Sequence, residues 1–137
     1  MARRTEAYVD TSALIAFVDK SDTYHPLFRR LFAEPPPLVA TALVLTEGHA
    51  WFLKRYDRTR ALLFLGMLEE MPFLKIISTG QRELRSATEL LRRLSDQDLT
   101  LVDAVGLCTM KERHIRACWS TDFHLGLTGI PLVIHER

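Results

Sequence analysis

The sequence predicts an α/β fold, with a central parallel sheet of about four or five strands and helices on both faces. Three observations carry this expectation. Short apolar, strand-like runs alternate along the chain with longer helical ones, the order that builds parallel sheets. The first such run, Ala7-Tyr8-Val9, ends directly in Asp10, and helix-forming residues follow at once. That is how a parallel sheet places a carboxylate at its carboxyl edge, where active sites of such folds lie. The composition, 47% hydrophobic and 26% charged over 137 residues, suits one globular domain with its own core and argues against disorder.

The elements follow in order. Residues 7–10 read as the first strand and 12–18 as the first helix. Asp22-Thr23 opens a helix from Tyr24 to Ala33, and Glu34-Pro35-Pro36-Pro37 breaks the chain as a rigid loop. Leu38-Val39-Ala40 is a short strand. Thr41 then caps a long helix from Ala42 to Arg55, and a further helix runs from Thr59 to Met71 until Pro72 ends it. Phe73 to Ile77 is a strand, Ser78-Thr79 precedes a charged helix reaching Leu94, and Thr100 caps a helix to Glu112. Ala117-Cys118-Trp119 and Pro131-Leu132-Val133-Ile134 complete the sheet. No repeat, low-complexity stretch or linker divides the chain, so residues 1–137 are expected to form a single domain.

Bulk properties exclude several classes. A net charge of +1 gives no electrostatic reason, by itself, to expect a nucleic-acid partner. Cys108 and Cys118 have neither metal-ligand spacing nor a disulfide framework, and without a signal sequence they read as reduced thiols of a cytoplasmic protein. The apolar runs are too short and interrupted to cross a membrane. Met1-Ala2-Arg3-Arg4 is basic, but Glu6 and a strand follow it rather than a hydrophobic signal core.

Four acids stand where acids are unusual. Asp10 ends the first strand; alone, it reads most simply as a helix N-cap. Glu47 sits beside Leu43, Ala50 and Trp51 on a helix, and a charge on an apolar face is costly to bury unless paired or metal-bound. Gly48 beside it weakens the helix by about 1 kcal/mol relative to Ala and leaves room for close approach. The plain alternative is a helix end near enough to solvent for Glu47 to hydrate. Asp103 neighbours Leu99, Gly106 and Leu107, and Thr100-x-x-Asp103 resembles a capping box. A cap does not exclude a metal, because a carboxylate has two oxygens with several lone pairs. Asp122 follows Ala117-Cys118-Trp119 as Asp10 follows the first strand, and alone it is an ordinary turn aspartate. Each acid has a bland reading. Together, two at strand ends and two in early helical turns can converge on one edge of a parallel sheet. There they would repel one another and raise their pKa values. A hard divalent cation removes that conflict, and oxygen-only ligation suits Mg²⁺ or Mn²⁺. The chemistry this implies is metal-assisted phosphodiester hydrolysis, in which the ion activates water and neutralises transition-state charge.

The stretches YVDTSALIAFVDKSD, LVLTEGHAWF, SDQDLTLVDAVGLCTMKERHI and ACWSTDFHL span nearly the whole chain. In combination they resemble the PIN-domain ribonucleases, in particular the VapC toxins of bacterial and archaeal toxin–antitoxin pairs. The resemblance implies a PIN-like α/β/α sandwich and a Mg²⁺- or Mn²⁺-dependent endoribonuclease acting on RNA. It implies that Asp10 and Asp103 ligate the metal directly and that Glu47 and Asp122 bind directly or through water. Thr11 and Thr121 match the small hydroxyl positions beside the acids, where they would orient a carboxylate, water or phosphate. A homodimer and an antitoxin that blocks the site are also implied. The segment TDFH departs from the basic or polar residue that many relatives carry between acid and aromatic, which bears on substrate contacts more than on metal binding.

Other features carry less. His49 lies about 200° around the helix from Glu47, so the two do not share a face, and a zinc HExxH pattern is absent. His124, near Asp122, reads as a surface histidine before it reads as a substrate contact. The basic clusters, such as Lys54-Arg55 and Arg92-Arg93, read mainly as solvated faces, with a few near the acids guiding RNA phosphates. The alternative function is a non-catalytic RNA-binding or regulatory module on the same fold. A phosphoacceptor domain is disfavoured because Thr11-Ser12 follows Asp10 where a DxD pair would be needed.

Overall fold

The computed structural model describes residues 5–135. The basic stretch Met1–Arg4 lies outside the described residues. The order of elements is β1 (Ala7–Val9), α1 (Thr11–Val18), α2 (His25–Leu31), β2 (Leu38–Thr41), α3 (Ala42–Arg55) and α4 (Arg58–Glu69), then β3 (Leu74–Ile77), α5 (Gln81–Arg93), α6 (Leu101–Glu112) and β4 (Cys118–Trp119). The strands form one parallel sheet in the order β3-β2-β1-β4. The α/β class and the parallel sheet are therefore as expected.

The alternation of side chains along each strand sorts the core into two layers. Ala7, Val9, Leu38, Ala40 and Trp119 face one way and pack with Leu14, Phe28, Phe32, Val44, Phe52 and Phe64 from α1–α4 and the α2–β2 loop. Tyr8, Val39 and Cys118 face the other way, against Ala87, Leu90, Val105, Leu107 and Met110 of α5 and α6. Each fully buried Val, Leu or Phe contributes roughly 1.5–3 kcal/mol by leaving water. The two layers therefore clamp β1, whose three residues are all buried, from both faces. The edge strand β3 is far more exposed and carries Lys75, a charge that discourages pairing with another sheet edge.

One expected strand is corrected. Of Pro131–Ile134, only Leu132 bridges the sheet, pairing with Cys118, and Val133–His135 close into a 3₁₀ turn. The run is apolar because Leu132 and Val133 are buried as core, not because they extend the ladder. A second 3₁₀ turn, Phe123–Gly126, follows β4.

Topology then fixes where a site can lie. From β1 the chain steps to β2 and β3 on one side, then crosses back to β4 on the other. The order reverses beside β1, and ligands of open α/β sheets bind in the crevice outside the carboxyl ends at such a point. Two glycines allow close packing of the elements that frame the fold. A Cβ at Gly48 of α3 would overlap the ring of Phe64 on α4, and a Cβ at Gly106 of α6 would come 2.8 Å from the Tyr8 hydroxyl oxygen.

Candidate active site

Asp10 is the first residue beyond β1, and its amide donates to the Trp119 carbonyl at 3.0 Å, so β4 is paired up to the site itself. It occupies the N-cap position of α1, but its side chain makes no capping bond. Its Oδ2 instead accepts hydrogen bonds from Ser12 Oγ (2.9 Å) and Ser120 Oγ (3.1 Å). Those hydroxyls are themselves acceptors: Ser12 Oγ takes the Thr121 amide at 3.0 Å and Ser120 Oγ the Asp122 amide at 2.9 Å. The loop after β4 is thus tied to the loop after β1 through two serines. Asp10 is only 4% exposed. Burial pushes its carboxyl up to about 6; Ser12 opposes the rise, and the charges of Asp103 and Glu47 add to it.

Asp103 is held by α6's first turn. The Thr100 hydroxyl accepts the Asp103 amide at 3.1 Å, while the Thr100 amide donates to Asp103 Oδ2 at 3.3 Å, so the expected capping box is formed. Burial raises the pKa of this carboxyl, the Thr100 bonds oppose the rise, and the Asp122 charge adds to it. Glu47 projects from α3 and is half-buried. Burial raises its pKa too; the Thr11 hydroxyl opposes, and Asp103 and Asp122 reinforce.

Asp122 caps the 3₁₀ turn after β4. Its Oδ1 accepts both the backbone amide of His124 (3.0 Å) and the ring Nδ1 (2.8 Å). The His124 side chain is only 19% exposed, so the expected surface histidine is a partner of an acid instead. Donor atoms of Asp103, Asp122 and His124 all lie within 4.8 Å of one another, the one group of three or more His, Cys, Asp or Glu donors this tight among the described residues.

A hollow of about 280 Å³ gathers these parts. Its lining comprises Asp10, Thr11, Ser12, Ile15, Glu47, Trp51, Thr100, Asp103 and Asp122. All four acids singled out from the sequence therefore share one concavity, with Asp103 and Asp122 in the tight donor group and Asp10 and Glu47 along its wall. Thr11 lines the hollow as well. Thr121 reaches the network through its backbone amide rather than through its hydroxyl. A larger hollow of about 590 Å³ lies by the ends of α1, α3 and α4, lined mainly by apolar groups such as Phe52, Leu63, Phe64 and Met67. Its one acid is Asp19, so the convergent chemistry belongs to the smaller one.

Sequence reasoning missed Ser12, Ser120 and the role of His124. Each stands two residues from an acid, so an acid with a hydroxyl or imidazole at that spacing was the available signal. Which of them would bond, and to which acid, depends on β1 and β4 lying side by side.

A family profile for the PIN domain matches residues 7–126. The chain is 25% identical over 130 residues to the 23S rRNA-specific endonuclease VapC20 of Mycobacterium tuberculosis, in each of two strains, covering 94% of this chain and 98% of the relative. The crystal structure of Mycobacterium tuberculosis VapC20, described as a Sarcin-Ricin loop cleaving toxin, superposes with a TM-score of 0.84 at 22% identity, covering 91% of this chain and 96% of that one. A toxin–antitoxin complex from Klebsiella pneumoniae gives 0.61 at 21% identity, over 93% of this chain and 95% of that one. VapBC2 from Rickettsia felis, bound to a DNA fragment from its promoter, gives 0.62 at 14% identity, over 93% and 97%. At these identities the superpositions bear on the fold.

Proposed function

This chain belongs to the PIN-domain family, and from that premise we propose that it is a Mg²⁺- or Mn²⁺-dependent endoribonuclease, the toxin of a VapBC-type pair. One observation carries the reading. Four carboxylates line one hollow at the carboxyl edge of the sheet, and three of them are pushed above the usual range by burial and by one another. Such a set is unfavourable as built and becomes favourable around a divalent cation.

The donor set fits a hard cation. It is all oxygen apart from His124, and the fold holds one oxygen of each aspartate. The serines hold Asp10 Oδ2, Thr100 holds Asp103 Oδ2, and His124 holds Asp122 Oδ1. The remaining oxygens of Asp10 and Asp103 are the proposed direct ligands, with Glu47 and Asp122 binding directly or through water. Bound there, the ion would neutralise charge on the scissile phosphate and lower the pKa of an attacking water. Glu47 lines the same hollow, and burial raises its carboxyl's pKa, so it too gains from a cation held there. The Thr11 hydroxyl is buried in the hollow's wall without a hydrogen-bond partner among the described residues, free to meet Glu47, water or phosphate, and the Thr121 amide fixes Ser12 and through it Asp10.

RNA as substrate rests on the relatives, described as an endonuclease of 23S rRNA and as a Sarcin-Ricin loop cleaving toxin. An antitoxin partner is supported by the toxin–antitoxin complex among the structural neighbours. The same reading takes residues 1–137 as one PIN domain that works as a homodimer in the cytoplasm, where its substrate is. Among the described residues no helix is long and apolar enough to cross a membrane.

The test is induced expression of the wild type and of Asp10→Asn and Asp103→Asn, with sequencing of RNA 5′ ends and the same comparison in vitro with Mn²⁺ or EDTA. New ends that need both carboxylates and the metal are expected. Normal cleavage by folded, metal-loaded variants, or RNA binding without cleavage in any divalent metal, would sink the reading.

A further inference from the structure

One stripe of α3 changes chemical character along its length. Glu47, Trp51, Lys54 and Arg55 follow at spacings of four, three and one residues. At 100° per residue they fall within a stripe roughly 100° wide, and at 1.5 Å per residue they span about 12 Å. The stripe starts in the acidic hollow and runs out of it. Trp51 lines that hollow and also a second one of about 340 Å³, whose other walls are Lys54 and Arg55. The indole is half-buried, and near-perpendicular contacts to Phe52 (4.9 Å) and Tyr56 (6.1 Å) set its plane. Lys54 and Arg55 are exposed, and neither forms a salt bridge within 4 Å among the described residues. Arg55 lies over the Tyr56 ring at 5.5 Å, and its charge helps hold Asp19 below its usual range, behind the hydrogen bonds from Ser21 and Tyr56.

A polyanion that must place one phosphate among four carboxylates needs cationic anchorage next to that site. On α3 the anchorage is separated from the acids by one aromatic ring. An aromatic surface flanked by cations is the chemistry of single-stranded nucleic acid, whose unpaired bases stack while its phosphates pair with Lys and Arg. Duplex presents no free base face to such a ring. We propose that the Trp51–Lys54–Arg55 stripe is the RNA subsite adjoining the cleavage centre. An unpaired base stacks on Trp51 and the next phosphates lie on Lys54 and Arg55. The span has room for about three stacked bases at about 3.4 Å each. This inference rests on the ribonuclease reading for its substrate class and adds the path and the strandedness.

The test measures binding in EDTA, where cleavage is halted, using a short, labelled single-stranded RNA of mixed sequence and the duplex of the same sequence. The chain has two tryptophans, and Trp119 is buried beyond contact with RNA, so a quench on RNA binding reports on Trp51. Single-stranded RNA is expected to quench the wild type. Trp51→Phe keeps near-wild-type affinity but loses the quench, and Trp51→Ala weakens binding roughly ten-fold or more. Lys54→Ala/Arg55→Ala flattens the slope of log affinity against log salt by about 0.7 for each cation removed. Duplex binds more weakly and does not quench. Trp51→Phe controls for packing lost in the alanine variant. Wild-type affinity and salt slope in all of these variants, with cleavage by the wild type in Mn²⁺, overturns the subsite and leaves the ribonuclease standing. Quenching and variant effects as expected without cleavage in any metal supports the subsite and sinks the nuclease. No RNA binding at all overturns both.

Discussion

Ser120 Oγ lies 3.1 Å from Oδ2 of Asp10 although 110 positions separate the two residues in sequence. The same oxygen accepts the Asp122 amide, so one hydroxyl steadies two of the four acids. Ser120→Ala leaves the partly buried Asp122 amide without its partner and Asp10 with one donor fewer. A loss of about 1–3 kcal/mol is expected, with weaker Mn²⁺ binding and partial rescue by Ser120→Thr. Urea unfolding and calorimetric Mn²⁺ titration measure both effects. Unchanged stability and affinity in Ser120→Ala would show that the bond does not hold the site.

Asp10 gives a pH dependence whose sign follows from its raised pKa. The carboxyl titrates near 6 when folded, against 3.8 for the unperturbed group. Between those values the folded state holds the proton that the unfolded state has lost, so metal-free stability falls as pH rises from about 4 to about 6. The full shift corresponds to roughly 3 kcal/mol, the stabilisation present below pH 4 and gone above pH 6. Asp10→Asn removes this slope. In EDTA the variant should be more stable than the wild type at pH 7.5, with the difference shrinking toward pH 4, while cleavage is lost. Saturating Mn²⁺ should reverse the order at pH 7.5 by favouring the ionised wild type. Melting curves at the two pH values decide; a variant less stable than the wild type at pH 7.5 in EDTA contradicts the assignment.

His124 is expected to act by positioning Asp122. His124→Ala should lower Mn²⁺ affinity and cleavage by about 10–100-fold, the usual cost of losing a group that orients a ligand. His124→Asn can return an N–H near the Nδ1 position and should recover much of both. The readout that separates positioning from ligation is the electron-spin-echo spectrum of bound Mn²⁺. Directly coordinated imidazole nitrogen would mean that the ring leaves Asp122 and binds the ion.

Gly106 and Tyr8 form a packing pair beneath the site. Gly106→Ala should cost about 1–3 kcal/mol through overpacking. In a Tyr8→Phe background, where the hydroxyl is gone, the penalty should be smaller. A double-mutant cycle in urea measures the coupling. Additive effects would mean that α6 shifts away instead of pressing on the ring.

What the sequence disclosed divides by range. Asp103 and Thr100 were readable together because a capping box closes within one helical turn. Asp10 and Asp122 were visible as acids ending strands, and Glu47 as a charge on an apolar helix face. The serine bonds were not, because they require β1 and β4 to be neighbours. The Asp10 cap was half right: the residue stands at the N-cap position, but its carboxylate turns to the serines instead of the helix amides. The last strand failed because an apolar run reports burial, and burial here comes with a 3₁₀ turn. Lys54 and Arg55 could be noted from the sequence as following the Glu47 helix, but that Trp51 links their hollow to the acids needed the structure.

The long reach between Ser120 and Asp10 has a consequence for timing. The carboxylate wall is drawn from segments made early, midway and late in synthesis, and β1 gains its β4 neighbour only once residue 119 has been translated. At about 5–20 residues per second, some 5–20 s pass between the making of Asp10 and of Ser120. During that interval the nascent chain carries Asp10 and Glu47 but not the Asp122 loop that completes the centre. Ribosome-arrested chains stopped before residue 118 should therefore show no cleavage with Mn²⁺, whereas full-length released chains should.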